Sequence, residues 1–449
     1  MVLCLMSVFA CTNDDILNNI AEQPIGTRTV EETAQVDDYK VSYSLLQKYL
    51  KLTKKDVDVQ QITPLVREGD TLAYAVQYTE GWDVIAADQR LTPVMVTSDN
   101  GTLTIEQLYL NKLLTHIADV RLGSSNDRNV VWQHLITKKT VLDKKTKTRD
   151  AKFTIGMWIP EDTIYISDVN TIPHIISTNW HQNYPWNDFT PFDNGDVTPA
   201  GCSAIAVGQV VYHYRKNNKF RSLPTYIVSQ TNGSTTFPNE NTFSSSAWDY
   251  VDGYPQNAIF IAYLGVEILN QSYAIGGSGC GISDIIGALQ YFDIGYDNRT
   301  SYNFPAIYGS LLNNKPVIVC AQVRNSNDGH TFIIDRYKIS QEGLYINCRW
   351  DPNYVVDEET YYSYSPDWFQ EPDGDPNKET IYKQHVEYYF ENVYFGMNWG
   401  AAGVSNEGLY LAMTHADGGM TTHYSPQWNY GSDMTNGIEH ILYNLSDIH

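Results

Sequence analysis

Gly201-Cys202-Ser203-Ala204-Ile205-Ala206-Val207-Gly208-Gln209-Val210-Val211-Tyr212-His213-Tyr214 sets a cysteine behind a glycine, followed by a run of small and apolar residues. Such a run predicts a buried helix that begins at Cys202. A thiol at a helix N-terminus lies where free backbone N–H groups and the macrodipole favour an anion, which draws its pKa toward thiolate. The same N–H groups can hydrogen-bond an oxyanion forming on an attacked carbonyl. A core thiol in a buried helix fits these residues equally well, so the reading needs partners elsewhere in the chain.

Three other segments offer them. Gly329-His330-Thr331-Phe332-Ile333-Ile334-Asp335 opens an apolar strand with a histidine. Its imidazole could pair with the Cys202 thiolate and later protonate a leaving amine; a hydrogen-bonded strand-end histidine is the plainer alternative. Gly396-Met397-Asn398-Trp399-Gly400 reads as β. There an Asn398 side chain accepting from the imidazole would fix its tautomer, and Trp399 would shield that bond, as in Cys-His-Asn enzymes. An ordinary strand asparagine beside a packed tryptophan would look the same. Gln182, in Asn179-Trp180-His181-Gln182-Asn183-Tyr184-Pro185-Trp186-Asn187, is placed to add a second oxyanion donor to the Cys202 N–H.

The order Gln, Cys on a helix, His on a strand, Asn-Trp-Gly is that of the papain-like clan. The strings GCSAIAVGQVVYHY (201–214), GHTFIIDRY (329–337) and NWGAAGVSNEGLYL (398–411) resemble the streptopain family of cysteine peptidases. Trp248-Asp249 and YAIGGSGCG (273–281) resemble its intervening landmarks, and YTEGWDVIAADQRLTPVMVTSDNG (78–101) is similar to its inhibitory pro-domain. The resemblance implies an α+β fold: a papain-like catalytic domain over 154–449, with a helical lobe and an antiparallel β lobe, preceded by a small α+β pro-domain over 27–135. It also implies a basic processing linker over 136–153, a zymogen, protein or peptide substrates, the pro-domain as intramolecular inhibitor, and no metal or organic cofactor. Carried over by position, Cys202 is the nucleophile, His330 the base and acid, Gln182 the oxyanion donor, and Asn398 with Trp399 the supporting segment. Ser278, Gly279 and Cys280 fall in the Gly-rich loop that lines the substrate cleft in relatives, and Cys280 is either a second thiol near the site or a small buried residue.

Two departures stand out. Ala401 occupies the position where the family usually has a second tryptophan, and 68 positions separate His330 from Asn398. The extra material, about 341–391, is rich in Tyr, Asp, Glu and Pro (Glu371-Pro372-Asp373-Gly374-Asp375-Pro376). It is expected to be a solvated surface insertion, with a substrate-facing flap or calcium-binding loop as alternatives. The glycines at 277, 279 and 281 lack the strand and lysine of a phosphate cradle.

Composition bounds these readings. A chain of 449 residues suggests two or three domains, and 42% apolar against 18% charged residues can support a large core. The net charge of −22 repels phosphate backbones and argues against nucleic-acid binding. Past the N-terminus no stretch approaches the roughly 20 apolar residues of a spanning helix. The cysteines form no Cys-x-x-Cys pair and have no histidine at ligand spacing, which argues against a zinc cluster.

Residues 1–11 read as an export signal. Val8-Phe9-Ala10-Cys11 resembles a lipobox, with Cys11 lipidated, and a simply secreted protein is the alternative. The expected location is the outer membrane or cell surface, or the medium, with membrane contact only through an anchor at Cys11. A lysine-rich stretch from Lys138 to Lys152 marks the linker, whose exposed chain would be easily nicked.

The expected elements are a hairpin at Tyr74–Ala87 and helices at 105–120, 202–214 and 258–269. A polar loop is expected at 232–246, and strands at 317–321, 331–334, 394–398 and 409–413. The function expected is a cysteine endopeptidase, exported as a zymogen. The alternatives are a catalytically impaired binding or adhesion protein on the same scaffold, or an acyl transferase using the same dyad.

Overall fold

The computed structural model describes residues 39–54, 57–103, 114, 118, 128–137, 152–216, 226–232, 235–243, 254–299, 302–322, 329–357, 368–370, 382–400, 408–416, 421–423 and 439–443. The lipobox, most of the expected helix at 105–120, nearly all the basic linker, Trp248-Asp249 and Ala401 lie outside the described residues.

The N-terminal region begins with α1 (Tyr43–Thr53). Ser42 caps it by accepting the Leu45 N–H, and Leu45, Leu46, Tyr49 and Leu50 form its buried stripe. An antiparallel meander follows: β1 (Val59–Arg67), β2 (Asp70–Tyr78), β3 (Trp82–Ala86) and β4 (Val94–Ser98). The expected hairpin is present, with Tyr74 opposite Ile85 and Val76 opposite Asp83. Both faces of central β2 are buried, so Ala75 is enclosed along with Tyr74 and Val76. Next comes α2 (Val130–Thr137), whose Trp132 packs on Tyr49 with ring centroids 5.2 Å apart.

The second region starts with the long strand β5 (Lys152–Thr171). Short strands β6 (Phe192–Asp193) and β7 (Asp196–Val197) lead into α3 (Cys202–Lys216), the helix expected from its apolar run. A hairpin of β8 (Tyr226–Asn232) and β9 (Thr235–Phe243) occupies most of the stretch expected to be a polar loop. Then come α4 (Gln256–Tyr263), passing into a π-helical turn at Leu264–Ile268, α5 (Ile282–Tyr291), β10 (Tyr296–Arg299) and α6 (Phe304–Leu312). The remainder is β: β11 (Val317–Gln322), β12 (Gly329–Asp357), β13 (Tyr382–Asn398), β14 (Leu409–Ala416), β15 (Thr421–His423) and β16 (Glu439–Tyr443).

α3, α4 and α5 share one core through Val207, Val210, Phe260, Leu264 and Leu289. The β lobe is a single antiparallel sheet ordered β1-β2-β3-β4-β14-β13-β12-β11-β16-β10, with β15 on β14 and β5 on β12. The N-terminal strands therefore continue the catalytic sheet: β4 pairs β14, with Val96 opposite Tyr410 and Thr97 opposite Leu409. A single core cluster runs across the junction from Leu46 and Trp82 to Phe332, Trp399 and Tyr410.

Instead of a loose surface excursion, the described parts of the 341–391 insertion are extensions of β12 and β13. β11 and then β5 pair along one edge of β12 while β13 pairs along the other. Ile346, Cys348 and Trp350 alternate along β12 and, with Met157, Trp158 and Trp368, form a separate apolar cluster. The Trp158 indole N–H donates to Gln370 O at 3.0 Å. That alternation gives the arm a buried face of its own. The acidic, proline-rich part at 371–376 lies outside the described residues.

Candidate active site

The turn before α3 is clamped from two sides. Ala200 N–H donates to Gln182 O at 2.8 Å, and the Gln271 amide donates to Ala200 O at 2.9 Å. Gly201 sits at φ +86°, where L side chains are rarely found, and the Gln271 amide occupies the space a Cβ would need. Gly201 O accepts the Ile205 N–H at 3.1 Å, so the helix starts with Cys202 in its first turn.

Cys202 is 1% exposed and His330 2%. The Thr331 N–H points at Cys202 Sγ from 3.3 Å, and Ser203 Oγ lies 3.1 Å from Thr331 Oγ1. Two bonds thus seat the N-terminus of α3 against the first residues of β12, bringing the sulfur to the residue next to His330. Cys202 is disulfide-bonded, so nucleophilic chemistry requires its reduction. Cys280, Cys320 and Cys348 are buried thiols outside any disulfide.

The imidazole of His330 is oriented by a main-chain group. Its Nε2 lies 2.8 Å from Trp399 O; a carbonyl can only accept, so Nε2 carries the proton and Nδ1 is the basic nitrogen. The ring lies nearly parallel to Phe332 and to Trp399, with centroids 6.0 and 6.2 Å away. The Trp399 indole N–H donates to Tyr410 OH at 3.3 Å. Asn398, expected to accept a hydrogen bond from the imidazole with its side chain, points elsewhere. Its amide donates to Gln209 Oε1 at 3.1 Å and Thr178 O at 3.4 Å, and its Oδ1 accepts from Gly400 N–H at 3.2 Å. The orienting role falls to the carbonyl one residue on, just past the end of β13.

Gln182 is half-buried, and its main chain is tied two residues before Cys202. Its neighbour His181 stacks edge-on to Trp186 at 4.0 Å, and burial pulls its pKa down to about 4. The Gly-rich loop closes through reciprocal main-chain bonds between Ser272 and Gly279, at 2.9 and 3.1 Å. Ser278 in that loop is fully buried. Cys280 is 2% exposed and bonds Ser203, the residue after Cys202. Burial pushes its thiol up to about 12, so it stays protonated beside the site. Cys280 is thus a buried thiol beside the first turn of α3.

Sequence reasoning passed over Gln209, Gln271 and Thr331. Gln209 was visible as the lone polar side chain inside an apolar stretch of helix, seven residues after Cys202. The other two act through main-chain contacts that spacing does not reveal.

A helix-borne cysteine, bonded to the strand whose histidine is oriented by a tryptophan carbonyl, defines a cysteine-type peptidase. Residues 180–355, the stretch that holds Gln182, Cys202 and His330, match the Peptidase C10 family. Similar solved structures include a mutant fragment of Prevotella intermedia prointerpain A (15% identity, 85% of this chain and 97% of that one, TM-score 0.44). Another is active wild-type interpain A cysteine protease of the same organism (19% identity, 41% of this chain and 82% of that one, TM-score 0.30). A search of curated proteins found no match.

Proposed function

We propose that the chain is an endopeptidase made as a latent precursor and exported, acting through a Cys202–His330 pair. In the reduced enzyme the Cys202 thiolate attacks the scissile carbonyl carbon. The resulting oxyanion is bound by the Cys202 N–H and the Gln182 side-chain amide. His330 Nδ1–H gives its proton to the departing amine nitrogen as the C–N bond breaks. Water, deprotonated by His330, then attacks the thioester, releasing the acid and restoring the thiolate. The observation that carries this reading is the pair of contacts at consecutive residues: Thr331 N–H on the sulfur, and His330 Nε2–H on Trp399 O.

Latency is supported by the near-complete burial of Cys202 and His330 in the full chain, and by the union of the N-terminal strands with the catalytic sheet through β4 and β14. Cutting within the basic linker would leave β5 in the mature enzyme, since β5 is bonded to β12 from Lys152 to Thr171. Export, and anchoring through a lipid on Cys11, rest on the Val8–Cys11 segment.

The test uses the full chain under reducing conditions with casein as substrate. A Cys202→Ala protein should be inert toward casein and toward an epoxide thiol label, and the matured protein should begin between Lys138 and Phe153. Casein cleavage by Cys202→Ala at the unmutated rate would refute the mechanism. Retention of fatty acid by the wild type but not by Cys11→Ala would establish the anchor.

A further inference from the structure

Gln209 lies two helical turns beyond Cys202, on the same face of α3, and is fully buried. Its Oε1 accepts from Thr178 Oγ1 at 3.1 Å, from Trp180 N–H at 3.2 Å and from Asn398 Nδ2 at 3.1 Å. Its Nε2 donates to Asn398 Oδ1 at 3.4 Å, closing a reciprocal amide pair. Those partners belong to two separate catalytic segments, and Gln209 to a third. Thr178 and Trp180 begin the stretch that carries Gln182. Asn398 is followed by Trp399, whose carbonyl holds His330 Nε2, and Asn398 Oδ1 also accepts from Gly400 N–H at 3.2 Å. Gln209 itself is part of the helix that presents Cys202.

We propose that Gln209 is a positioning residue for the peptidase reaction. It fixes the Trp399 carbonyl, and hence the imidazole, relative to the thiolate and the Gln182 loop. The proposal rests on the cysteine-peptidase reading and adds what sets the distance between its parts. Neutral amides suit the task, because they hold geometry without placing a charge near the thiolate–imidazolium pair. The Gln209 amide can bridge these segments because its oxygen accepts while its NH2 group donates back to Asn398.

The test compares wild type with Gln209→Met, which keeps length and apolar volume but removes all four bonds, and Gln209→Glu, which keeps the acceptor oxygen. Each is expressed as the full chain, matured, reduced, and assayed on a fluorogenic peptide. Cys202 alkylation by iodoacetamide is followed across pH. For Gln209→Met, kcat should fall on the order of a hundredfold with KM within about twofold, the signature of misplaced groups. The acid limb of the alkylation profile should rise by about one pH unit as the thiolate–imidazolium pair weakens. Gln209→Glu should recover part of kcat. If Gln209→Met does not fold, Thr178→Val removes one of the four contacts and should lower kcat severalfold in the same pattern.

Unchanged kcat and an unchanged alkylation profile in the folded variant would overturn the proposal. So would a loss confined to KM or to melting temperature. Cys202→Ala, run in parallel, separates the two claims. If it is inert while Gln209→Met matches wild type, only the positioning role fails; if it is active, the peptidase reading fails with it.

Discussion

Around Cys202 the side-chain contacts that hold its helix are made by neutral groups: Gln209 with Asn398 and Thr178, Gln271 with Ala200, Ser203 with Thr331. The seam between the N-terminal strands and the rest of the sheet carries ion pairs beside its apolar core and main-chain pairs. Lys338 Nζ meets Asp99 at 2.6 Å across the seam, and Lys54 meets buried Asp83 at 3.3 Å, with Tyr78 OH donating to the same carboxylate. Glu342 accepts from Ser340 and Tyr165 and faces the pocket that also contains Lys54 and Asp83. The difference teaches what each region is for. Amide pairs keep their geometry at any pH. Ion pairs hold as long as both partners stay ionised and weaken with salt when exposed.

The largest effect expected from breaking this division is at the nucleophile. Cys202→Ala should lower peptide hydrolysis by roughly 10⁶-fold, as removal of a catalytic nucleophile does, while leaving the attachment of the N-terminal strands unchanged in urea melts. Next is Gly201→Ala. A left-handed φ and a Cβ set against Gln271 should destabilise the fold by about 1–3 kcal/mol. Activity should also fall although every catalytic side chain is present, and wild-type urea stability would show that the turn is not constrained.

At the seam, Lys338→Met should cost about 1 kcal/mol, since Asp99 is half exposed. It should also abolish most of the salt dependence of N-terminal unfolding, measured by hydrogen exchange. The seam should fail in alkali. Asp83 holds the Lys54 ammonium above its ordinary pKa, and burial raises Tyr78 in the same direction. In both cases the folded state binds the proton more tightly than the unfolded chain. Their contribution is therefore complete below about pH 10 and is lost as pH rises through the folded values. Melting temperatures from pH 8 to 12 would show the drop, and Lys54→Met should flatten it.

The smallest effect belongs to the Gln182 loop. His181 stays neutral in the fold down to about pH 4, whereas the unfolded chain protonates it near 6.5. Stability should thus decline as pH falls between those values and level off below them. Protonation would also remove the Nδ1 acceptor of Asn183 N–H. His181→Phe should remove this acid component from thermal melts, and an unaltered acid limb would show that the loop is held by other means.

Much of this was legible beforehand where the signal is local. The α3 helix, the β2–β3 hairpin, the apolar strands at 317–322 and 331–334, and the cysteine and histidine at element starts all announce themselves by periodicity and by the residues beside them. The arm of β5, β12 and β13 was misjudged because its tyrosines, acids and prolines suggest solvent. Its burial depends on strand alternation meeting a partner nearly two hundred residues away, as Trp350 does opposite Trp158. Asn398 was chosen as the orienting group from residue type, yet a main-chain carbonyl, which every residue carries, does the work.

The amino-acid sequence alone thus determined which groups are present and which local element carries each, since helix starts, strand alternation and turn glycines are properties of neighbouring residues. The tertiary structure alone decided which oxygen faces the imidazole, that Gln209 joins three segments, and that Lys338 meets Asp99 across the N-terminal seam. Those outcomes depend on distances between residues remote in the chain, and such distances are set by how the sheet and helices pack.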